Sequence, residues 1–231
     1  IVDITHQIDP QNILQASFVL QKCYSYYPPG TVHGVVVDPG VGMRRRAVVV
    51  EKDKYFFVGP DNGVFSGLLS AGGEIRARKI IRKEYFLTPV SDTFHGRDVF
   101  APVAGNLSLG LDPGKLGPEV KNLFRMDFPE PRRGKRQLTA RVLWADSFGN
   151  LITNVTRDGY GRKLGTPFQI RGKGWIIDRL SRTYGEGKPG QPLALFGSGG
   201  LLEISVNRGN ARKALGLDSG NSITIQFGEK I

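Results

Sequence analysis

Between residues 12 and 27 the apolar positions Ile13, Ala16, Leu20, Cys23 and Tyr27 recur three or four apart, with Phe18 and Tyr24 beside them. That period predicts an amphipathic helix, which Pro28-Pro29-Gly30 stops. The texture then changes. Residues 32–37 are mostly β-branched and run into Asp38-Pro39-Gly40, the pattern of a buried strand that delivers an aspartate to its C-terminal edge. Residues 47–50 and 55–58 predict two further strands, and Ile1-Val2-Asp3-Ile4 another. A second helix is expected over 97–109, directly after Ser91-Asp92-Thr93-Phe94-His95-Gly96. Strands alternating with helices predict an α/β layer.

Past a Pro-, Arg- and Gly-rich stretch at 129–136 the pattern becomes short apolar runs separated by turn residues: 137–145, 151–155, 167–170, 175–178, 193–196, 201–206 and 222–227. Many short strands with glycine turns suggest a small barrel or sandwich. The expected fold class is therefore α/β, with an N-terminal Rossmann-like α/β domain over 1–130 and a C-terminal β-barrel-like domain over 131–231.

At 231 residues and 39% hydrophobic content the chain can bury one large core or two modest ones. It contains no run of eighteen apolar residues and no signal-peptide pattern, so a soluble cytoplasmic protein without a membrane partner is expected. The single cysteine, Cys23, lies in the helical pattern as packing material, and three histidines without a second cysteine predict no metal cluster. The net charge of +11 invites a nucleic-acid reading until its location is considered. Residues 1–120 carry 13 Lys+Arg against 12 Asp+Glu, whereas the remainder carries 19 against 9. The densest cluster, Arg132, Arg133, Lys135 and Arg136 around Gly134, reads as a solvated linker or as a phosphate-binding patch.

Three segments combine glycine-permitted turns with polar groups at the ends of apolar runs. In Asp38-Pro39-Gly40-Val41-Gly42 followed by Arg44-Arg45-Arg46, the turn lets an arginine fold back toward Asp38, although Asp-Pro-Gly alone also makes an ordinary turn. In Thr93-Phe94-His95-Gly96-Arg97-Asp98, a histidine suited to orienting or deprotonating water stands beside a ring able to wall a nucleoside. A capped helix start with a satisfied histidine, and Arg97 and Asp98 paired with neighbours, is the plain alternative. In Asp146-Ser147-Phe148-Gly149-Asn150, the asparagine has the donor and acceptors to read an adenine edge and the phenylalanine can stack on it. A strand-turn-strand explains the same residues.

Taken together these segments resemble the S-adenosylmethionine hydroxide adenosyltransferase family, the adenosine-forming S-adenosylmethionine hydrolases, whose relatives include the fluorinases and chlorinases. The resemblance spans nearly the whole chain, through Val2-Asp3-Ile4-Thr5-His6, Val58-Gly59-Pro60-Asp61-Asn62-Gly63, Gly197-Ser198, Leu202-Glu203-Ile204 and Val206-Asn207-Arg208-Gly209-Asn210-Ala211 as well. It implies a water-holding triad of Asp38, Arg45 and His95, with Arg44 and Arg46 as bystanders. It implies adenine contacts from Asn150 and the Asn210-Ala211 backbone, stacking by Phe94 and Phe148, a ribose or amine contact at Asp146 and a methionine-carboxylate contact near Ser198. It further implies a ribose-holding aspartate in a segment that would lie before Ile1, and a homotrimer with active sites between subunits. The halogenating relatives have tyrosine and serine where this chain has His95 and Gly96, and tyrosine where it has Asp38, so water is the expected nucleophile.

The expected reaction is hydrolysis of S-adenosyl-L-methionine to adenosine and L-methionine by in-line attack on C5′. The leaving group is a neutral thioether expelled from a sulfonium, so no general acid, metal or nicotinamide is needed and the site has only to position and activate water. A cationic substrate gains nothing from the basic second half. Two other readings remain: an S-adenosylmethionine-dependent halogenase, and a basic oligonucleotide-binding barrel without catalysis that uses Trp144, Phe148 or Tyr160 as stacking platforms. The second accounts for the charge but not for Asp38, Arg45 and His95. A methyltransferase would need a glycine-rich loop after its first strand, which is not visible.

Overall fold

The computed structural model describes residues 1–228. The chain divides into two compact units, Ile1–Asp127 and Phe128–Ile231. In the first, the four strands β1 (Val32–Gly34), β2 (Ala47–Lys52), β3 (Tyr55–Pro60) and β4 (Ile75–Lys79) form one sheet in the order β1-β3-β2-β4. Only β1 and β3 run parallel; β2 is antiparallel to β3 and β4, so the α/β unit has a mixed sheet.

Alternation along the central strands sorts side chains onto two faces. Val48, Val50 and Phe57 join a core with Ala16 and Leu20 of helix α1 (Ile13–Cys23) and Leu68 of helix α2 (Ser66–Ser70). Val49 and Val58 point the other way, into a core with Val99, Phe100, Val103 and Leu107. Val103 and Leu107 belong to helix α3 (Ala101–Ser108), and Val99 and Phe100 to the π-helical turn Gly96–Phe100 that leads into it. Both faces of the sheet are thus covered by helix.

Several boundaries differ from the sequence expectation. The first helix ends at Cys23 and continues as a 3₁₀ turn, and β1 stops at Gly34. The N-terminal residues Ile1-Val2-Asp3-Ile4 form no strand; their side chains are exposed and their backbone joins no sheet. The expected helix over 97–109 opens as a π turn because Pro102 has no N–H to give to the Asp98 carbonyl. That carbonyl accepts from Leu87 N at 2.9 Å instead.

From Phe128 onward the strands β5 (Arg132–Arg133), β6 (Gln137–Ala145), β7 (Leu151–Thr156), β8 (Phe168–Gly172), β9 (Trp175–Ile177), β10 (Pro192–Phe196), β11 (Leu201–Val206) and β12 (Ser222–Phe227) make an antiparallel sheet. Its order is β10-β11-β7-β6-β12-β8-β9, with β5 beside β6. Just after β9 the chain bridges back to β10 through Leu180 and Ala194, so the sheet curls into a nearly closed barrel. Leu138, Ala140 and Val142 of β6 alternate inward, and a bulge between Val142 and Trp144 changes the register before the turn into β7. Helix α4 (Arg157–Leu164) drops Tyr160 and Leu164 into the barrel core, and helix α5 (Ala211–Leu215) adds Ala211.

Candidate active site

In the N-terminal unit the turns after the first strand reverse the chain twice, Val41 N bonding to Asp38 O and Met43 N to Gly40 O. Gly42 permits this with φ +73, and a Cβ there would meet the Asp92 carbonyl oxygen at 2.4 Å. The reversal aims one arginine of three at Asp38. Arg45 Nε donates to both carboxylate oxygens, at 3.0 and 2.9 Å, and Nη2 adds a further bond to Oδ2. Arg46 turns away to pair with Asp61 and to donate to the Asn122 carbonyl, while Arg44 is exposed.

Arg45 also reaches His95: its Nη2 lies 2.8 Å from Nδ1. The Arg45 and Asp38 side chains are only 10% and 5% exposed, and the guanidinium lies 5.2 Å from the centre of the Phe100 ring. A guanidinium has donors only, so Nδ1 must accept, and a neutral His95 ring then carries its proton on Nε2. The three side chains form one hydrogen-bonded row, Asp38 to Arg45 to His95.

The loop bearing His95 is latched by Asp98, which is buried and takes Arg97 Nε at 2.6 Å and Ser91 N at 2.8 Å. Arg97 first, and the Ser91 N–H second, hold the Asp98 carboxyl below the usual carboxylate range. Arg97 lies over the Phe94 ring at 4.8 Å, and Phe94 remains 54% exposed beside the triad.

In the C-terminal unit the turn between β6 and β7 is organised by one carboxylate. Asp146 Oδ1 accepts from Phe148 N at 3.0 Å and Asn150 N at 2.8 Å, and Oδ2 from Asn150 Nδ2 at 2.9 Å. Gly149, at φ +85, lies flat on the Asn210 side chain; a Cβ would stand 2.2 Å from it. Asn210 Oδ1 caps α5 by accepting from Lys213 N, and Arg212 N bonds to the Gly149 carbonyl. Asp146, Phe148, Asn150 and Asn210 thereby line one cavity of about 540 Å³. Ala211 is buried at the first turn of α5, and Ser198 is exposed in the turn between β10 and β11, outside the cavity wall.

Sequence reasoning missed Tyr184 and gave no role to Val206, Arg208 and Gly209 of the 206–211 motif, which also line this wall, and it missed Phe100, which underlies Arg45. Tyr184 sits in a connection without apolar periodicity, and Phe100 falls inside the expected helix 97–109, where an apolar residue signals nothing beyond packing. Asn150, read as both donor and acceptor toward adenine, gives an Nδ2 hydrogen to Asp146; its Oδ1 is the atom suited to meet an exocyclic amine. Among the described residues no group of three or more His, Cys, Asp or Glu could hold a metal ion, and no helix is long and apolar enough to cross a membrane.

Both units match known sequence families. Residues 1–117 fit the family described as SAM hydroxide adenosyltransferase N-terminal domain, and residues 140–224 the corresponding C-terminal domain. An (R)-S-adenosyl-L-methionine hydrolase from Thermus thermophilus is 40% identical, over 97% of this chain and 87% of its own. A fluorinase from Actinopolyspora mzabensis is more distant, at 22% identity over 97% and 86%. A crystal structure of an uncharacterized conserved protein from Thermotoga maritima superposes with a TM-score of 0.84 at 34% identity, covering 97% and 88% of the two chains. With both halves accounted for in order and the similarity running nearly end to end, this chain belongs to the SAM hydroxide adenosyltransferase family.

Proposed function

We propose that the protein hydrolyses S-adenosyl-L-methionine to adenosine and L-methionine, with Asp38, Arg45 and His95 holding the attacking water. The observation that carries this reading is the Arg45 bridge, which joins the carboxylate and the imidazole through a single guanidinium. It supports a particular division of labour. Asp38 has both oxygens engaged by Arg45, so it orients the arginine rather than taking a proton from water. Arg45 orients His95, whose remaining Nε2–H is a donor able to hold a water or hydroxide-like oxygen in line with C5′. The new bond forms from that oxygen to C5′, the C5′–S pair leaves with the thioether, and the proton released from water goes to solvent.

The cavity of the C-terminal unit supports the nucleoside end: Phe148 offers a face, Asn150 Oδ1 an acceptor and Asn210 further polar groups, while Asp146 is assigned to the ribose or the amine; the backbone of Ala211, next to Asn210, is assigned to the adenine by the family resemblance. Ser198 is assigned to the methionine carboxylate and Phe94 to the nucleoside ring. We further propose a homotrimer in which each site joins the N-terminal unit of one subunit to the C-terminal unit of the next.

Purified protein incubated with S-adenosylmethionine in oxygen-18 water is expected to yield methionine and adenosine labelled at the 5′ oxygen. A 5′-halogenated nucleoside formed in chloride or fluoride would instead identify a halogenase. Salt-sensitive binding of single-stranded oligonucleotide without cleavage would identify a nucleic-acid-binding barrel.

A further inference from the structure

In the N-terminal unit Arg45, Arg46 and Arg97 each meet a carboxylate, that of Asp38, Asp61 and Asp98 in turn. The C-terminal unit treats part of its basic run differently. Among the described residues Lys135, Arg136 and Lys163 ion-pair with no carboxylate, although all three stand around one open cavity of about 960 Å³. The described wall of that cavity contains no Asp or Glu. Its backbone is tied together at three points. Gly134 N donates to the Gln137 carbonyl at 2.9 Å and closes the β5–β6 turn that carries Lys135 and Arg136. Phe227 N donates to the Arg136 carbonyl at 2.8 Å, and Gly228 N to the Pro167 carbonyl at 3.3 Å, so the end of β12 holds the turn on one side and the start of β8 on the other. Lys163, in the last turn of α4, lies with its Nζ 4.3 Å from the centre of the Phe227 ring.

Beside these cations the strand register sets three amides in a row: Gln226 of β12 stands between Gln137 of β6 and Gln169 of β8. Their neighbours Leu138, Ile225 and Ile170 fill the barrel core, so by alternation the glutamines share the outer face, where they line the same cavity. Gln169 Oε1 accepts from Arg171 Nε at 2.9 Å and Nη2 at 2.6 Å, which leaves the Gln169 amide N–H groups to donate. Ammonium, guanidinium and amide N–H groups together make a wall of donors. Gathering like charges costs the fold by repulsion, and with no carboxylate set among them the compensation must come from a ligand. A phosphate chain has the charge and the many acceptor oxygens that such a wall calls for. The rings offer no stacking face to a base, because Phe168 is buried and Phe227 lies under Lys163. This cavity is also separate from the one at Asp146. Gln137 is the first residue of β6, whereas Asp146 follows its last, so the two lie at opposite ends of a nine-residue strand.

We propose that this cavity is a second binding site, for an oligophosphate chain held by Lys135, Arg136, Lys163 and the amides of Gln137, Gln169 and Gln226. The site is tested on the full-length protein by calorimetry with inorganic tripolyphosphate. One ligand per chain is expected, with affinity falling several-fold as salt rises from about 50 to about 200 mM. Arg136→Gln and Lys163→Gln should each weaken binding on the order of tenfold, and Gln226→Glu, which sets a carboxylate into the row at nearly constant size, by at least as much. Lys173→Gln removes the same charge from the exposed β8–β9 turn and should leave the affinity within about twofold, because a charge outside the cavity is screened. The unfolding temperature should hold in all four variants, since each replaced side chain is exposed. ATP that binds as tightly as tripolyphosphate and is displaced by it would identify the phosphate chain of a nucleotide as a source, and much weaker ATP would assign the site to the inorganic chain. Tripolyphosphate that fails to bind at low salt overturns the proposal. So does a loss in Lys173→Gln equal to that in Arg136→Gln, since the attraction would then be diffuse, and so does a single-stranded oligonucleotide that binds and is not displaced by tripolyphosphate.

Discussion

At the scale of single residues, the sharpest consequence of the Asp38–Arg45–His95 row is that its members act as a unit. Removing Arg45 breaks both bonds at once, and removing Asp38 or His95 leaves a guanidinium with a missing partner. Asp38→Ala, Arg45→Ala and His95→Ala should each lower kcat by on the order of a hundredfold, with double variants little worse than singles. KM should change much less, and Arg44→Ala should be nearly neutral. Undiminished turnover in His95→Ala would remove the triad from the mechanism even in a proven hydrolase. In the other unit, Asn150→Ala should cost about 1–3 kcal/mol of adenosine affinity by calorimetry, because a polar atom of the base is left unpaired. Asp38 stood out in the sequence because it ends an apolar run and His95 because it precedes a helix start beside an aromatic ring, but their grouping with Arg45 came from the family resemblance. Which of Arg44, Arg45 and Arg46 turns inward was not written in the arginine run itself; the resemblance pointed to Arg45, and the double reversal at Gly40 and Gly42 gives the physical reason.

Among elements, legibility tracked apolar periodicity. Strands β6 and β11 announce themselves by alternation, whereas β4 reads Ile-Arg-Ala-Arg-Lys and was missed, because an edge strand buries only one side of a short alternation and the charges blunt its free edge. Helix α4 carries two glycines and two buried residues, so propensity argues against it; Thr156 caps it, and Tyr160 and Leu164, four apart, fill the barrel. The edge strand β1 makes a prediction of its own. Its His33 is buried, stacked on Phe57 at 5.2 Å and edged by Tyr27 at 5.3 Å, and Nε2 has no hydrogen-bond partner. Burial pushes the imidazole pKa below its ordinary value. The unfolded chain therefore binds the proton more readily, so the stability owed to neutral His33 is present above the unfolded pKa of about 6.5 and is lost as pH falls from there through the folded value. His33→Phe, which keeps an aromatic in the stack, should reduce the drop in unfolding temperature between neutral and mildly acidic pH. An equal drop in the variant would assign the acid sensitivity elsewhere.

At the scale of the whole molecule, the notable fact is how the chemistry is divided. Every member of the proposed water-holding row lies in the unit ending at Asp127, and every wall residue of the proposed nucleoside cavity lies in the unit that follows. The change of texture at 129–136 made two regions visible in the sequence, but no periodicity encodes whether a unit of one copy serves a unit of another. The proposed trimer with sites shared between neighbours makes this measurable. His95→Ala disables only the N-terminal contribution and Asn150→Ala weakens only the C-terminal one. If sites are shared head to tail around a ring, co-refolding equal amounts of the two variants creates sites whose two halves are both unmutated in about one case in four, by random assortment in a closed cyclic oligomer. At substrate concentrations below KM the mixture should therefore recover roughly a quarter of wild-type activity, well above either variant alone, and light scattering should report three chains. No recovery in a mixture shown to exchange subunits would mean that each site draws both halves from one chain, and a fully active monomer would remove the shared site altogether.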